Sequence, residues 1–197
     1  MKKVYVSFDD IQRQTQDILR QMHNDHWHPD CIVGITRGGL TPAMLISQYL
    51  SVPMVSLDVS LRDNKSDDIG PESNCWLSEW AFGYVPEEEQ ATISARWDPH
   101  YRKNILIVDD INDSGDTINW IVNDWQSTCL PNEKYVWEAV WGKTTRFAVL
   151  YDNLASDAIL TPTYTSQEIN KAEDPSWIVF PWEEWWRRWN PNEEVIK

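Results

Sequence analysis

The 197-residue chain predicts an α/β fold, a central parallel sheet flanked by helices. Three observations carry that prediction. Short apolar runs of buried-strand type recur along the chain, amphipathic helical stretches lie between them, and glycine-rich or acidic breaks mark where strand gives way to helix. With 42% apolar residues, the chain is long enough to bury a core without a disulfide framework.

The elements follow in order. Ser7 and Asp10 have the spacing of a capping box, and Ile11, Ile18, Leu19 and Met22 recur at helical intervals, which predicts a first helix over about 8–23. Cys31–Ile35 is a buried-strand run that breaks at Thr36-Arg37-Gly38-Gly39-Leu40, where paired glycines call for a special backbone. Thr41 then Pro42 reads as N-cap and first helical residue of a second helix. Val52–Val59 reads as a second strand, Asn104–Val108 as a third and Phe147–Tyr151 as a fourth. Ile118, Ile121, Val122 and Trp125 make the apolar stripe of a helix that follows Gly115, and the stretch around Tyr135–Val140 fits a helix better than a strand.

Two stretches depart from the alternation. Residues 61–102 carry Asp67-Asp68, Gly70-Pro71 and a Pro86-to-Glu89 acidic run, and are expected to form a lid or inserted excursion. The end, from Trp177 to Trp189, crowds five tryptophans beside Pro175 and Pro181. The organisation expected is therefore a core over 1–155 that includes the insertion at 61–102, and a Trp-rich hood over 156–197. Most of the 13 tryptophans are expected to pack core and lid.

Composition bounds the partners. Seventeen Lys and Arg against 31 Asp and Glu give a net charge of −14, a field that repels nucleic acid and anionic membrane. An anionic substrate would need a local device to reverse that sign. Cys31, Cys75 and Cys129 are odd in number and lack any CxxC spacing, and no signal-type apolar stretch is evident at the start, so a cytoplasmic protein is expected. His23, His26 and His28 cluster at a helix end without a carboxylate third partner, and read as a surface turn.

The strongest chemical signal runs from Ile105 to Thr117. A buried strand ends in Asp109-Asp110, a third carboxylate follows at Asp113, and Ser114-Gly115-Asp116-Thr117 turns into a helix. In an open parallel sheet, ligands bind at the carboxyl ends of the strands. The 113–117 turn offers backbone N–H groups, a helix N-terminus and two hydroxyls, a set suited to a phosphate monoester. Asp109 and Asp110 are acceptors suited to sugar hydroxyls or to Mg²⁺ that keeps part of its water shell.

This string, with Thr36-Arg37-Gly38-Gly39-Leu40 and the late Trp177-Ile178-Val179-Phe180-Pro181-Trp182, resembles the type I phosphoribosyltransferase family, and within it the bacterial xanthine-guanine (6-oxopurine) branch. The resemblance implies that fold, and transfer of ribose 5-phosphate from phosphoribosyl pyrophosphate (PRPP) to a purine nitrogen with release of pyrophosphate. By matching positions, Arg37, Gly38 and Gly39 would form the pyrophosphate loop, and Asp109 and Asp110 would hold the ribose hydroxyls and Mg²⁺, Asp110 as the metal ligand. Asp113 would act as general base at the purine N7, and Ser114, Gly115, Asp116 and Thr117 would cradle the 5-phosphate. Asp116 is costly beside a phosphate unless its side chain turns outward. Trp177 would stack on the base and the Ile178 backbone would meet its edge.

Two departures from the family pattern stand out. Asn153 occupies the place after the fourth strand where the purine enzymes carry a lysine for the base's exocyclic oxygen. Ser60-Leu61 stands where a Ser-Tyr pair is common in the loop that excludes water. Trp182, Trp185, Trp186 and Trp189 are expected in packing or in an oligomer contact, since dimers and tetramers are usual in the family. The alternative is a non-catalytic regulator on the same fold that senses PRPP or a nucleotide. A phosphatase or kinase using the Asp pair leaves the Arg-Gly-Gly turn unexplained, and the chain has no Walker-type lysine loop.

Overall fold

The computed structural model describes residues 2–59, 75–90, 92–93, 96–128, 137–183 and 185. The Leu61 position, Tyr135 and Val136, Trp186 and Trp189 lie outside them. Among the described residues thirteen elements follow one another: β1 (Lys3–Tyr5), α1 (Phe8–Asn24), β2 (Cys31–Ile35), α2 (Leu40–Leu50), β3 (Met54–Leu57), α3 (Cys75–Phe82), α4 (Glu87–Gln90), a 3-10 turn (Pro99–Tyr101), β4 (Ile105–Asn112), α5 (Asp116–Thr128), β5 (Thr145–Asn153), β6 (Tyr164–Ile169) and β7 (Trp177–Val179).

The expected parallel sheet is present. Its five strands run in the order β3-β2-β4-β5-β6, every neighbouring pair parallel. β1 and β7 form a separate two-stranded parallel sheet that ties the two ends of the described chain together. β6 comes from the stretch expected as a hood, so the central sheet does not stop near residue 155. Its register against β5, with Val149 opposite Thr165 and Asn153 opposite Ile169, makes it the edge of the same sheet.

Period two sorts the strands onto two cores. Val33, Ile35, Ile105, Ile107 and Phe147 join one core with α5 and α3; Ile32, Leu106, Val108, Ala148 and Leu150 join the other with α1 and α2. Both faces of a parallel sheet are covered, which is why these strands read as unbroken apolar runs. Tryptophans fill the first core: Trp137 and Trp141 stack at 5.5 Å, and Trp141 lies 5.6 Å from Trp125. The described part of the 61–102 stretch contributes to it too, through buried Leu77, Ala81 and Phe82.

The boundaries moved where tertiary pairing outlasts local pattern. α1 starts as predicted: Ser7 Oγ accepts the Asp10 N–H at 3.1 Å while Asp10 accepts the Ser7 N–H at 2.9 Å. α2 begins two residues early, with Gly39 rather than Thr41 in the N-cap position, and Pro42 still falls in the first turn where its missing N–H is harmless. β4 runs past Val108 through both aspartates to Asn112, because Asp109, Ile111 and Asn112 keep pairing with Val149, Tyr151 and Asp152. β3 is shorter than Val52–Val59 and β5 is longer than Phe147–Tyr151. Trp125 is fully buried at the centre of the aromatic core. Trp125→Ala is expected to cost about 3–5 kcal/mol, read as a lower denaturant midpoint with little change in far-UV circular dichroism.

Candidate active site at the switch point of the sheet

The chain leaves β2 toward β3 on one side and later enters β4 on the other, so the strand order reverses between β2 and β4. Crevices open at the carboxyl ends of strands at such a point. A cleft of about 720 Å³ lies there, and Arg37, Gly38, Asp109, Asp110, Asp113–Thr117 and Trp177 line it. The two separate sequence signals, around Arg37 and around Asp110, thus meet in one site.

The Arg37 turn is held close to β4. A Cβ on Gly38 would fall 2.0 Å from Asp110 Oδ2, and one on Gly39 would fall 2.1 Å from the Val108 carbonyl oxygen. At Gly39 the obstruction is backbone and a side chain has no room, whereas at Gly38 a side chain would displace the Asp110 carboxylate. Gly38 lines the cleft, whereas Gly39 is buried behind it and accepts the Ala43 N–H at 3.0 Å. The Thr36–Arg37 peptide is cis. Thr36 Oγ1 donates to Asp58 at 2.9 Å, fixing the turn to the end of β3.

The 113–117 turn is braced from the far side. Gly115 has φ of +94° and packs where a Cβ would meet the Ala158 nitrogen at 2.4 Å. The Asp157 N–H donates to the Ser114 carbonyl at 3.0 Å, and Asn119 bonds both the Asp157 carbonyl (3.0 Å) and the Ile159 N–H (2.7 Å). This leaves the first N–H groups of α5 at the cleft. Asp116 accepts the Ser114 hydroxyl at 2.7 Å, so a phosphate seated here would have to compete for that donor.

The acids are not equivalent. Asp109 Oδ1 accepts the Asp110 N–H at 2.9 Å. Part of Asp110 reaches the cleft surface, yet its carboxyl is packed among protein atoms. That burial, and then the facing Glu183 carboxylate, pushes Asp110 up to about 7. Such facing carboxylates form a hard oxygen donor set, the chemistry that suits Mg²⁺. Among the described residues no three His, Cys, Asp or Glu form a ready metal cage. An ion here would therefore draw most of its ligands from substrate and water.

Two assignments need correction. Asn153 is buried and does not line the cleft; its Nδ2 donates to the Asp113 carbonyl at 2.8 Å, and its Oδ1 accepts the N–H groups of Ala155 (3.2 Å) and Lys171 (3.0 Å). Its amide works on the backbone rather than on a base. Ile178 pairs with Val4 in the small sheet and is buried in the second core, away from the cleft lining. Trp182 packs as expected, against the second core and stacked on Phe180 at 5.1 Å, and it also lines the cleft. Trp185 is exposed.

Two residues were missed. Lys171 Nζ lies 2.8 Å from Asp113 Oδ1. Glu183, whose Oε2 accepts the Phe180 N–H at 3.0 Å, lines the cleft opposite Asp110. Neither lies in a spacing that marks a site; both sit in turns that read as solvated.

Because Asp110 binds its proton more tightly folded than unfolded, its cost to stability is absent well below the ordinary value of 3.8, grows as pH rises from there and levels off above about 7. Asp110→Asn removes that cost. In metal-free buffer the variant is expected to melt above the parent at pH 8, with a much smaller gain at pH 4, as differential scanning calorimetry would show.

The comparisons agree with this geometry. The phosphoribosyl transferase domain family matches residues 7–186. A xanthine-guanine phosphoribosyltransferase of Cereibacter sphaeroides is 29% identical over 187 residues, covering 92% of this chain and 87% of that protein. Xanthine phosphoribosyltransferase 1 of Saccharomyces cerevisiae is 25% identical over 146 residues, 68% of this chain and 65% of the yeast protein. In fold, the chain is similar to a purine phosphoribosyltransferase from Pyrococcus horikoshii, with a TM-score of 0.58 at 22% identity over 100% of this chain and 99% of the other. With the family matching nearly the whole length, and its two signature turns facing each other across one cleft, the chain belongs to the phosphoribosyl transferase family of pentosyl-transferring enzymes.

Proposed function

We propose that the chain transfers ribose 5-phosphate from PRPP to a 6-oxopurine (hypoxanthine, guanine or xanthine), giving the nucleoside monophosphate and pyrophosphate. The observation that carries the reading is the shared cleft, in which the Arg37-Gly38 turn, Asp109-Asp110, the 113–117 turn and Trp177 all face one volume. The names of the Cereibacter and yeast relatives support the purine as acceptor.

The roles follow from chemistry. The N–H groups at the start of α5, with Ser114 and Thr117, would seat the 5-phosphate. Arg37 and the backbone at Gly38 would take the pyrophosphate, offsetting the acidic field. Asp109 and Asp110 would hold the ribose hydroxyls and Mg²⁺. When bound, that ion supplies positive charge against the leaving pyrophosphate. The purine N9 forms a bond to the ribose C1′ as the bond from C1′ to pyrophosphate oxygen breaks, and Asp113 takes the proton from N7. Trp177 offers a ring face to the base.

A second reading, a PRPP- or nucleotide-sensing regulator, draws support from the Asp113–Lys171 ion pair, which occupies the acid that the chemistry needs. Pyrophosphate release separates the two. With PRPP, Mg²⁺ and a panel of purines, turnover is expected on at least one 6-oxopurine, and Asp113→Asn is expected to lower kcat by about 10²–10⁴-fold. Calorimetric PRPP binding without turnover on any base would favour the regulator.

A further inference from the structure

We propose that Asn153 and Asn119 are positioning residues for the 5-phosphate: without touching it, they orient the backbone N–H groups of Ser114 and Gly115 that receive it. The proposal rests on the seating of that phosphate in the purine reading above, and assigns the side chains on which its affinity depends.

The turn has to bind an anion with no positive side chain of its own. Arg37 is the one cation among the described residues that line the cleft, and it sits on the other turn. The 113–117 turn brings two carboxylates instead, Asp113 and Asp116, and Asp116 already engages the Ser114 hydroxyl at 2.7 Å. Most of the attraction for a phosphate must then come from peptide dipoles, whose effect depends on where each N–H points.

Two consecutive peptides of the turn are pinned by their carbonyls. Asn153 Nδ2 donates to the Asp113 carbonyl at 2.8 Å, and the Asp157 N–H donates to the Ser114 carbonyl at 3.0 Å. In a trans peptide the C=O and the N–H point opposite ways. Tying both carbonyls to the segment after β5 therefore turns the Ser114 and Gly115 N–H groups away from that segment, toward the cleft that both residues line. Asn119 keeps the second donor in place. It accepts the Ile159 N–H at 2.7 Å and donates to the Asp157 carbonyl at 3.0 Å, gripping the chain on both sides of Ala158, which lies against Gly115.

Neither asparagine lines the cleft. Each uses its donor and its acceptor together on backbone, Asn153 also taking the N–H groups of Ala155 and Lys171. A side chain with donors only, or acceptors only, could not do this. Removing one amide frees a peptide of the turn to rotate, so its N–H no longer stands ready against the repulsion of Asp113 and Asp116. A purely structural bond would weaken the fold without singling out one phosphate.

The test compares the full-length chain with Asn119→Ala and Asn153→Ala by calorimetry in Mg²⁺ buffer, with PRPP, inosine 5′-monophosphate and pyrophosphate as ligands. The first two carry the 5-phosphate, whereas pyrophosphate seats at the Arg37 turn. Each variant is expected to bind PRPP and inosine monophosphate about tenfold more weakly than the parent, and pyrophosphate equally well. Unchanged affinity of Asn119→Ala for PRPP and inosine monophosphate overturns the inference and leaves the purine reading standing. An equal loss for all three ligands also overturns it, being the sign of a fold loosened everywhere. A parent chain that binds none of the three overturns the purine reading, and the inference with it. Should Asn153→Ala not fold, Asn119→Ala decides by the same comparisons, since Asn119 is only half-buried.

Discussion

The cleft depends on a close approach between two pieces of backbone. The turn after β2 lies so near β4 that Cβ atoms at Gly38 and Gly39 would fall 2.0 Å from Asp110 and 2.1 Å from the Val108 carbonyl. Strand order alone opens a crevice between β2 and β4. The two glycines narrow it until the Arg37 turn and the Asp109-Asp110 pair face the same volume. β4 helps by continuing through both aspartates, so these carboxylates sit on paired strand rather than on a loop. A site built on such an element holds its geometry more tightly than one built on a tip.

That geometry concentrates like charge. The chain carries −14 overall, and Asp109, Asp110, Asp113, Asp116 and Glu183 all line the cleft. Asp110 registers the cost, pushed up to about 7 by burial and by Glu183. An anion entering alone would meet this field unfavourably. The same acids become an asset once a divalent cation or a developing positive charge on a sugar arrives. Arg37 and Lys171 are placed at different ends of this arrangement, one on the turn after β2 and one against Asp113. Each cation offsets a different part of the field.

The sheet, its helices and the two signature turns were legible because each rests on local pattern. Apolar runs marked the strands, the Ser7–Asp10 box marked the start of α1, and Asp109 to Thr117 carried both chemistry and a helix start. What was not legible depends on pairing between distant segments. β6 contains Gln167 and Glu168 and lacks an apolar run, since it is the edge of the sheet and half solvated. Lys171 and Glu183 sit in turns whose composition reads as surface. Only the folding of β6 and β7 against earlier strands brings them to Asp113 and Asp110.

Asn153 shows why position in the chain and position in space part company. A lysine there would offer donors only, whereas the buried amide both donates to the Asp113 carbonyl and accepts the N–H groups of Ala155 and Lys171. A lysine could satisfy the first of these partners but would strand the two N–H groups, a costly exchange in a buried setting. The segment that the amide anchors is the one carrying Lys171, whose ammonium pairs with Asp113. The acceptor that fixes the Lys171 backbone and the carboxylate that receives its ammonium are thus joined through one side chain.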